Sequence, residues 1–339
     1  MISLPPPPEI PPRPTFALVD LAAIRHNVRA VRSLAGKARI MGIVKANAYG
    51  HGLVTIARQL LAEGVDELGV GFLEEGVELR RAGIRVPILA LGGIFEDQIP
   101  WFLRYGLDLA ASSVFKIDQI ERAAEACGVR ARVHLKIDTG MGRIGVQWDT
   151  AHQLFERAVK ASHLQICGVF SHLATADSDD PTLTHEQIDR FDRALEFFPS
   201  HGLPMPTRHL AASGGILQHP RAIYEMVRPG IMLYGLYPGR GVLRTVPLRP
   251  ALTLETRVVY FKVGRRGRRV SYNGVPLERD TRVVTLPLGY GDGYPRSLSR
   301  KGHVLIGGRR FPILGNVTMD AVMVDVQDAR WGPDTYDLA

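Results

Sequence analysis

Leu107-Asp108-Leu109-Ala110-Ala111, an amphipathic stretch over Val114–Cys127, Val133-His134-Leu135-Lys136-Ile137, a second amphipathic stretch over Asp149–Ser162, then Ile166-Cys167-Gly168-Val169-Phe170: this passage through the middle of the chain decides how the rest is read. Apolar runs of strand length alternate with segments whose apolar residues recur at helical spacing. The same texture extends outward in both directions. Runs at Ile40–Val44, Leu68–Phe72 and Pro87–Leu91 precede it, and Arg208–Ala211 and Glu225–Leu233 follow, with another helical stretch over Thr184–Phe198. Parallel strands need a crossover to return the chain, so eight strands alternating with helices predict an α/β fold, a (β/α)8 barrel of TIM type. Ahead of the first run, Leu21, Ile24, Val28, Val31 and Leu34 predict a helix, with Asp20 as its N-cap and Gly36 as its stop.

Near Pro247 helical periodicity stops. Strand-like runs at Leu252–Val263, Arg282–Leu288, His303–Ile306 and Ala321–Val326 are separated by glycine-rich turns and predict a smaller all-β domain. The expected division is a proline-rich, disordered tail over 1–13, a barrel over 14–245 and a β domain over 246–339. A chain of 339 residues is long enough for both domains. No apolar stretch approaches the ~18 residues of a membrane span, so no membrane association is expected. The two cysteines, Cys127 and Cys167, lack metal or redox spacing and suit a reducing cytoplasm. Net charge is +8, and Arg265, Arg266, Arg268 and Arg269 cluster visibly. Gly264 and Gly267 punctuate that cluster between apolar runs, which reads as a hairpin turn with solvated arginines. Without interleaved aromatics it predicts no nucleic-acid role, and basic charge serves an anionic cofactor or substrate equally well.

The polar residues collect where barrel strands end. Lys45 closes the first run in Val44-Lys45-Ala46-Asn47-Ala48-Tyr49-Gly50-His51-Gly52. Strand C-termini open into the mouth where barrel active sites lie, and burial there would depress an amine from about 10.4, as a Schiff-base lysine requires. Taken alone, Lys45 reads more readily as an exposed residue before a loop. It is joined by Lys136 to Arg143 after the fifth run, Ser171-His172 after the sixth, Ala212-Ser213-Gly214-Gly215 after the seventh and Arg228-Pro229-Gly230-Ile231 on the eighth. Ser213 with the glycines at 214, 215 and 230 could present a hydroxyl and backbone N–H groups to a phosphate.

At these residues the chain resembles the alanine racemase family. Lys45 to Gly52 looks like its pyridoxal-lysine signature. Similar in the same order are Lys136 to Arg143, Ser171 to Asp177, Arg228 to Gly235, Gly289 to Arg296 and Gly315 to Asp320, over a span from about Arg13 to about Asp328. The resemblance implies a pyridoxal 5′-phosphate-dependent isomerase interconverting L- and D-alanine, without a metal. Lys45 would carry the cofactor and act as the base for D-alanine. Tyr272 would be the opposite-face base for L-alanine, with His172 as its relay. Arg143 and the backbone N–H of Met319 would hold the substrate carboxylate, while Tyr49, Ser213, Gly230 and Ile231 would hold the cofactor phosphate. Lys136 and Asp320 would support the site, Lys136 matching a position that carries a carbamate in some relatives. Arg228 would face the pyridine nitrogen. Arginine keeps its proton at any accessible pH, so it would hydrogen-bond that nitrogen without protonating it. The ring is then a weaker electron sink, which favours racemisation over transamination.

Tyr272 and Met319 fall in the β domain and Lys45 on the barrel, so the resemblance also implies a homodimer with shared active sites. The role it implies is a cytoplasmic one, D-alanine biosynthesis for peptidoglycan precursors. One departure stands out. Family members continue for a few dozen residues past Tyr336-Asp337-Leu338-Ala339, where closing strands and a further tyrosine at the cofactor phosphate are expected, so the β domain reads as truncated. The alternatives are another barrel-type pyridoxal enzyme, a broader amino-acid racemase or a decarboxylase, and a catalytically weak pyridoxal-binding protein. Tyr272 and the Asn316 to Asp320 run disfavour the decarboxylase.

Overall fold

The computed structural model describes residues 13–327. The tail expected over 1–13 lies outside them except for Arg13, which pairs with the carboxylate of Asp292. The stretch from Asp328 onward, Tyr336 included, lies outside them too. The chain divides into two compact units, one of Val19–Ala251 and one that joins the residues up to Leu18 to those from Leu252.

The first unit is the barrel. Its eight strands are Arg39–Ile43, Glu67–Val70, Ile88–Ala90, Asp108–Ala111, Ala131–Asp138, Leu164–Phe170, Thr207–His209 and Met226–Val227. Every neighbouring pair is parallel, and the eighth strand pairs back onto the first through Met226↔Arg39 and Val227↔Ile40, which closes the sheet. The helix expected after Asp20 spans Leu21–Ala35. The Asp20 carboxylate accepts from the N–H groups of Ala22 and Ala23, and Gly36 ends the helix at φ 59°, as this capping chemistry requires.

Side chains alternate across each strand. On the fifth strand Val133, Leu135 and Ile137 join the core between sheet and helices, which turns His134, Lys136 and Asp138 to the barrel interior. Met41, Ile43, Leu89, Ala110, Phe170 and Met226 form a separate apolar cluster there. The interior is thus part apolar and part polar, and its polar residues reach the mouth at Lys136 and Arg228.

Two expected runs differ from the structure. Glu225–Leu233 is a strand only at Met226–Val227, and Ile231–Tyr234 is a 3-10 turn. Pro229 has no N–H to give a sheet, and Ser213 Oγ takes the N–H groups of Gly230 (3.1 Å) and Met232 (3.3 Å) instead. Leu252–Val263 splits into Leu252–Glu255 and Tyr260–Gly264. The second part pairs with Thr281–Leu286, whereas Leu252–Glu255 pairs with Phe16–Val19 in a separate ribbon.

The second unit is built on a five-stranded antiparallel sheet in the order Tyr260–Gly264, Thr281–Leu286, Val322–Gln327, Arg309–Leu314, His303–Ile306. Val284, Leu286, Phe311, Val322 and Val324 centre its core. The arginine cluster does form a turn, closed by Arg268 N–H to Arg265 O, with Gly267 at φ 83° and Arg265 paired to Asp280. Among the described residues no helix is long and apolar enough to cross a membrane.

Candidate active site

A cavity of about 280 Å³ opens at the C-terminal ends of the barrel strands. Its wall includes Ile43, Leu91, Ile144 and Phe170. Its polar lining is Lys45, Lys136, Arg143, His172, Arg228 and Tyr49, with Gly230 beside the tyrosine. Four of these side chains are basic and none of the lining residues is acidic, so the cavity is built for an anion.

Lys45 follows the first strand after one residue, Val44, and opens a turn of unusual hand. Ala46, Asn47, Ala48 and Tyr49 have φ of 53°, 54°, 52° and 55°, and Gly50 follows at 83°. Left-handed backbone costs an L-residue roughly 1–2 kcal/mol, so four in succession cost on the order of 4–8 kcal/mol unless surrounding bonds offset it. Those bonds are present. Ala48 N–H donates to Val44 O (2.8 Å) and Gly50 N–H to Ala46 O (3.0 Å). The Asn47 side chain accepts from Leu53 N–H at 2.8 Å, at the start of the helix Leu53–Ala62. Glu75 accepts from Ala46 N–H at 2.5 Å. Tyr49 stacks on Tyr234, ring centroids 4.7 Å apart, and the Tyr234 hydroxyl donates to Ile43 O at 2.9 Å.

Gly230 is required by close approach. A Cβ there would stand 2.6 Å from the Tyr49 hydroxyl oxygen. Ser213 Oγ meanwhile accepts two backbone N–H bonds, from Gly230 and Met232. Its own hydroxyl hydrogen is therefore free to donate. Burial pushes the Tyr49 phenol up, so that hydroxyl keeps its proton as well.

Arg228 is buried, and its terminal nitrogens donate to the carbonyls of His209 (2.5 Å), Ser171 (2.7 Å) and Leu210 (3.1 Å) and to His209 Nδ1 (3.0 Å). Among the described residues no hydrogen bond involves its Nε–H. Burial brings the guanidinium down to about 9, still above the neutral range. At neutral pH the proton is retained. A longer contact of 3.5 Å runs from Arg228 to His172 Nδ1. Burial, with Arg228, Lys136, Arg143 and Lys45 adding like charge, pushes His172 down to about 2. Its imidazole is neutral, and with Nδ1 facing a donor its hydrogen belongs on Nε2. Lys136 lies 4.3 Å above the Phe170 ring. Burial and then the charges of Arg228 and Arg143 hold its amine well below the usual range.

Behind the lining stands a second tier that the sequence reading missed. His209 Nε2 meets His134 Nδ1 at 2.9 Å, and His134 Nε2 faces Asp108 at 3.4 Å, itself doubly bound to Arg132 at 2.7 and 3.0 Å. Gly168 makes room for that pair, since a Cβ on it would lie 2.7 Å from His134 Nδ1. Asp138 accepts from the N–H groups of Gly140, Met141 and Gly142, each at 2.9 Å, and so shapes the loop that carries Arg143. The signal was available: His134, Lys136 and Asp138 sit at alternate positions of one strand and must share its inner face.

In the β unit Tyr272 occupies the tight loop between Arg269–Val270 and Val275–Pro276, flanked by Ser271 at φ 63° and Asn273 at φ 66°. Ser271 Oγ accepts from Asn316 N–H at 2.9 Å, while Gly291 N–H donates to Met319 O at 2.8 Å and Tyr290 N–H to Thr318 O at 2.9 Å. Three separate motifs of this unit are thereby drawn together, with Asp320 3.4 Å from Thr318 Oγ1. Tyr272 is 69% exposed and Met319 62%.

Comparison with known proteins agrees on both units. The family model "Alanine racemase, N-terminal domain" matches residues 19–238, and "Alanine racemase, C-terminal domain" matches residues 251–336. An alanine racemase of Symbiobacterium thermophilum is 45% identical over 317 residues, 93% of this chain and 84% of the relative. The solved alanine racemase of Clostridium difficile 630 superposes with a TM-score of 0.90 at 32% identity, covering 97% of this chain and 87% of that one. A histidine racemase from Leuconostoc mesenteroides subsp. sake superposes with a TM-score of 0.85 at 27% identity, covering 96% and 91%.

Proposed function

This chain belongs to the alanine racemase family, and on that premise we propose that it is a pyridoxal 5′-phosphate-dependent isomerase that interconverts L- and D-alanine with two bases, Lys45 and Tyr272. The observation that carries the proposal is the barrel-mouth cavity in which Lys45, Tyr49, Lys136, Arg143, His172, Arg228 and Gly230 converge.

The residues present fit the cofactor. Ser213 and Tyr49 offer protonated hydroxyls beside Gly230, where the missing Cβ leaves room. With Ile231 they form the cradle for its phosphate. Arg228 has its Nε–H left to point at a ring nitrogen, and with burial at about 9 it donates there at neutral pH without giving up its proton. When bound, pyridoxal phosphate supplies an aldehyde for amine capture and a ring that withdraws electrons from Cα.

The chain's own groups do the rest. Lys45 holds the cofactor and, once free, moves the proton on the face used by D-alanine, while Tyr272 serves the face used by L-alanine. Arg143 and the Met319 N–H bind the substrate carboxylate, and Lys136 supports the site from the same cavity lining. His172, neutral and with Nε2–H available, donates to the phenolate form of a tyrosine and so lowers the cost of its deprotonation. The solvent-facing Tyr272 and Met319, with Asp320 shaping their loop, support a homodimer in which each β unit completes its partner's site. Two free cysteines support a reducing, cytoplasmic setting, where D-alanine would supply peptidoglycan precursors.

Borohydride treatment after loading with pyridoxal phosphate, followed by peptide mapping, should place the adduct on Lys45. Racemisation in deuterated water should then label Cα of alanine. An adduct on another lysine, or loading without racemisation, overturns the proposal. A broader amino-acid racemase is the second reading, favoured by the likeness to a histidine racemase. Comparing alanine with larger amino acids in the same assay decides between them.

A further inference from the structure

Glu75 is remote from Lys45 in sequence, yet its carboxylate grips the peptide that follows Lys45. One oxygen accepts from Ala46 N–H at 2.5 Å. The other accepts from Gly71 N–H at 2.7 Å and approaches Phe72 N–H at 3.4 Å. Ala46 lies just past the first barrel strand and Gly71 just past the second, so a single carboxylate ties the mouth ends of two neighbouring strands together. Both tied peptides lie against the lysine. A Cβ on Gly71 would stand 3.6 Å from Lys45 Cβ and 3.3 Å from the second Glu75 oxygen.

The bond to Ala46 also falls where the backbone turns left-handed. Ala46 is the first of four non-glycine residues in succession with positive φ. Asn47 accepts from Leu53 N–H beyond the far end of that turn, whereas Glu75 holds its entry. Carboxylate acceptors form stronger bonds to N–H groups than neutral oxygens do, and an aspartate in place of Glu75 would be one methylene too short to span both strands.

We propose that Glu75 is a positioning residue for Lys45, its carboxylate fixing the peptide between Lys45 and Ala46 so that the lysine amine enters the cavity at one angle. The proposal rests on the reading of Lys45 as the cofactor lysine. Glu75 acts through Lys45 and is not among the residues that line the cavity.

The test compares Glu75→Gln, Glu75→Ala and the neighbouring Glu74→Gln in the full chain. Glu75→Gln keeps the shape and one acceptor but turns an NH2 group toward a backbone N–H. Small displacements of a reacting group cost up to about 100-fold, so Glu75→Gln should slow borohydride-trapped attachment of pyridoxal phosphate to Lys45 by roughly 10- to 100-fold. It should also shift the pH dependence of the bound cofactor's absorbance. The KM for alanine should stay within about twofold while kcat falls. Attachment is measured at a temperature where Glu75→Gln and Glu74→Gln are both fully folded, and the Glu74→Gln rate should stay at the wild-type value. If Glu75→Ala fails to fold, Glu75→Gln alone carries the measurement. Wild-type attachment rate and absorbance profile in Glu75→Gln overturn the proposal, as does a loss that merely tracks the folded fraction. Wild-type protein that does not attach the cofactor at Lys45 at all instead overturns the underlying functional reading.

Discussion

His134 Nδ1 and His209 Nε2 lie 2.9 Å apart inside the barrel, and the groups at either end of the pair decide where its hydrogens sit. Arg228 can only donate, so His209 Nδ1, 3.0 Å from it, must accept. The His209 hydrogen is then on Nε2 and points at His134 Nδ1, which in turn places the His134 hydrogen on Nε2, facing Asp108 at 3.4 Å. Both imidazoles are neutral in this arrangement, and Arg228 is held from behind by a chain of definite direction.

That arrangement makes stability depend on pH. Burial first, and then the Arg228 charge, hold His209 well below its usual value, and the same two causes bring His172 to about 2. An unfolded histidine takes a proton near 6.5. As pH falls below that, the unfolded chain binds protons that the folded chain refuses. The stability is therefore fully present above about pH 6.5 and is lost on acidification, at up to about 1.4 kcal/mol per pH unit for each such histidine. His209→Asn keeps an acceptor toward Arg228 and removes one titrating group. Urea denaturation between pH 7.5 and 5 should show a shallower slope for the variant, and identical slopes would contradict the neutral pair.

Arg228→Lys tests the fork. A lysine retains the charge but cannot reach the carbonyls of His209, Ser171 and Leu210 together. Leaving buried acceptors without a donor should destabilise the barrel by about 1–3 kcal/mol. Racemisation should fall while Lys45 still takes up the cofactor. A variant with wild-type turnover would show that Arg228 has no part at the ring.

Tyr272→Phe removes one of the two proposed bases. A positioned general base contributes about 10²–10⁴-fold, so Cα–H exchange from L-alanine should drop by that order. Exchange from D-alanine in single-turnover measurements should drop far less. Equal losses for the two enantiomers would remove the assignment of separate faces.

Asp138→Ala releases three N–H groups of the loop before Arg143. With Arg143, the proposed carboxylate-binding arginine, loosened, KM for alanine should rise about tenfold and kcat should change less. Steady-state kinetics in both directions check this, and an unchanged KM would mean that the loop keeps its form without Asp138.

The order of elements was written in local patterning. Alternating apolar runs and amphipathic stretches determined a strand–helix repeat, because a parallel strand cannot be reached without a crossover. The capping chemistry of Asp20 and Gly36 determined where the helix Leu21–Ala35 begins and ends. The motifs at Lys45, Lys136 to Arg143 and Arg228 to Ile231 named the cavity lining for the same reason, since strand C-termini of a barrel open on one face. The eighth strand ended early, at Val227, because Ser213 Oγ takes the N–H groups of Gly230 and Met232, and no local pattern announces a partner so far away in the chain. What only the tertiary structure decided is likewise long-range. Ala46 meets Glu75 because neighbouring parallel strands end side by side at the mouth, and Asp108 meets His134 and His134 meets His209 because closing the sheet carries inward-facing side chains of different strands to hydrogen-bonding distance. Their protonation follows from the same closure, since burial and neighbouring charge are properties of the assembled barrel and have no value in the chain read residue by residue.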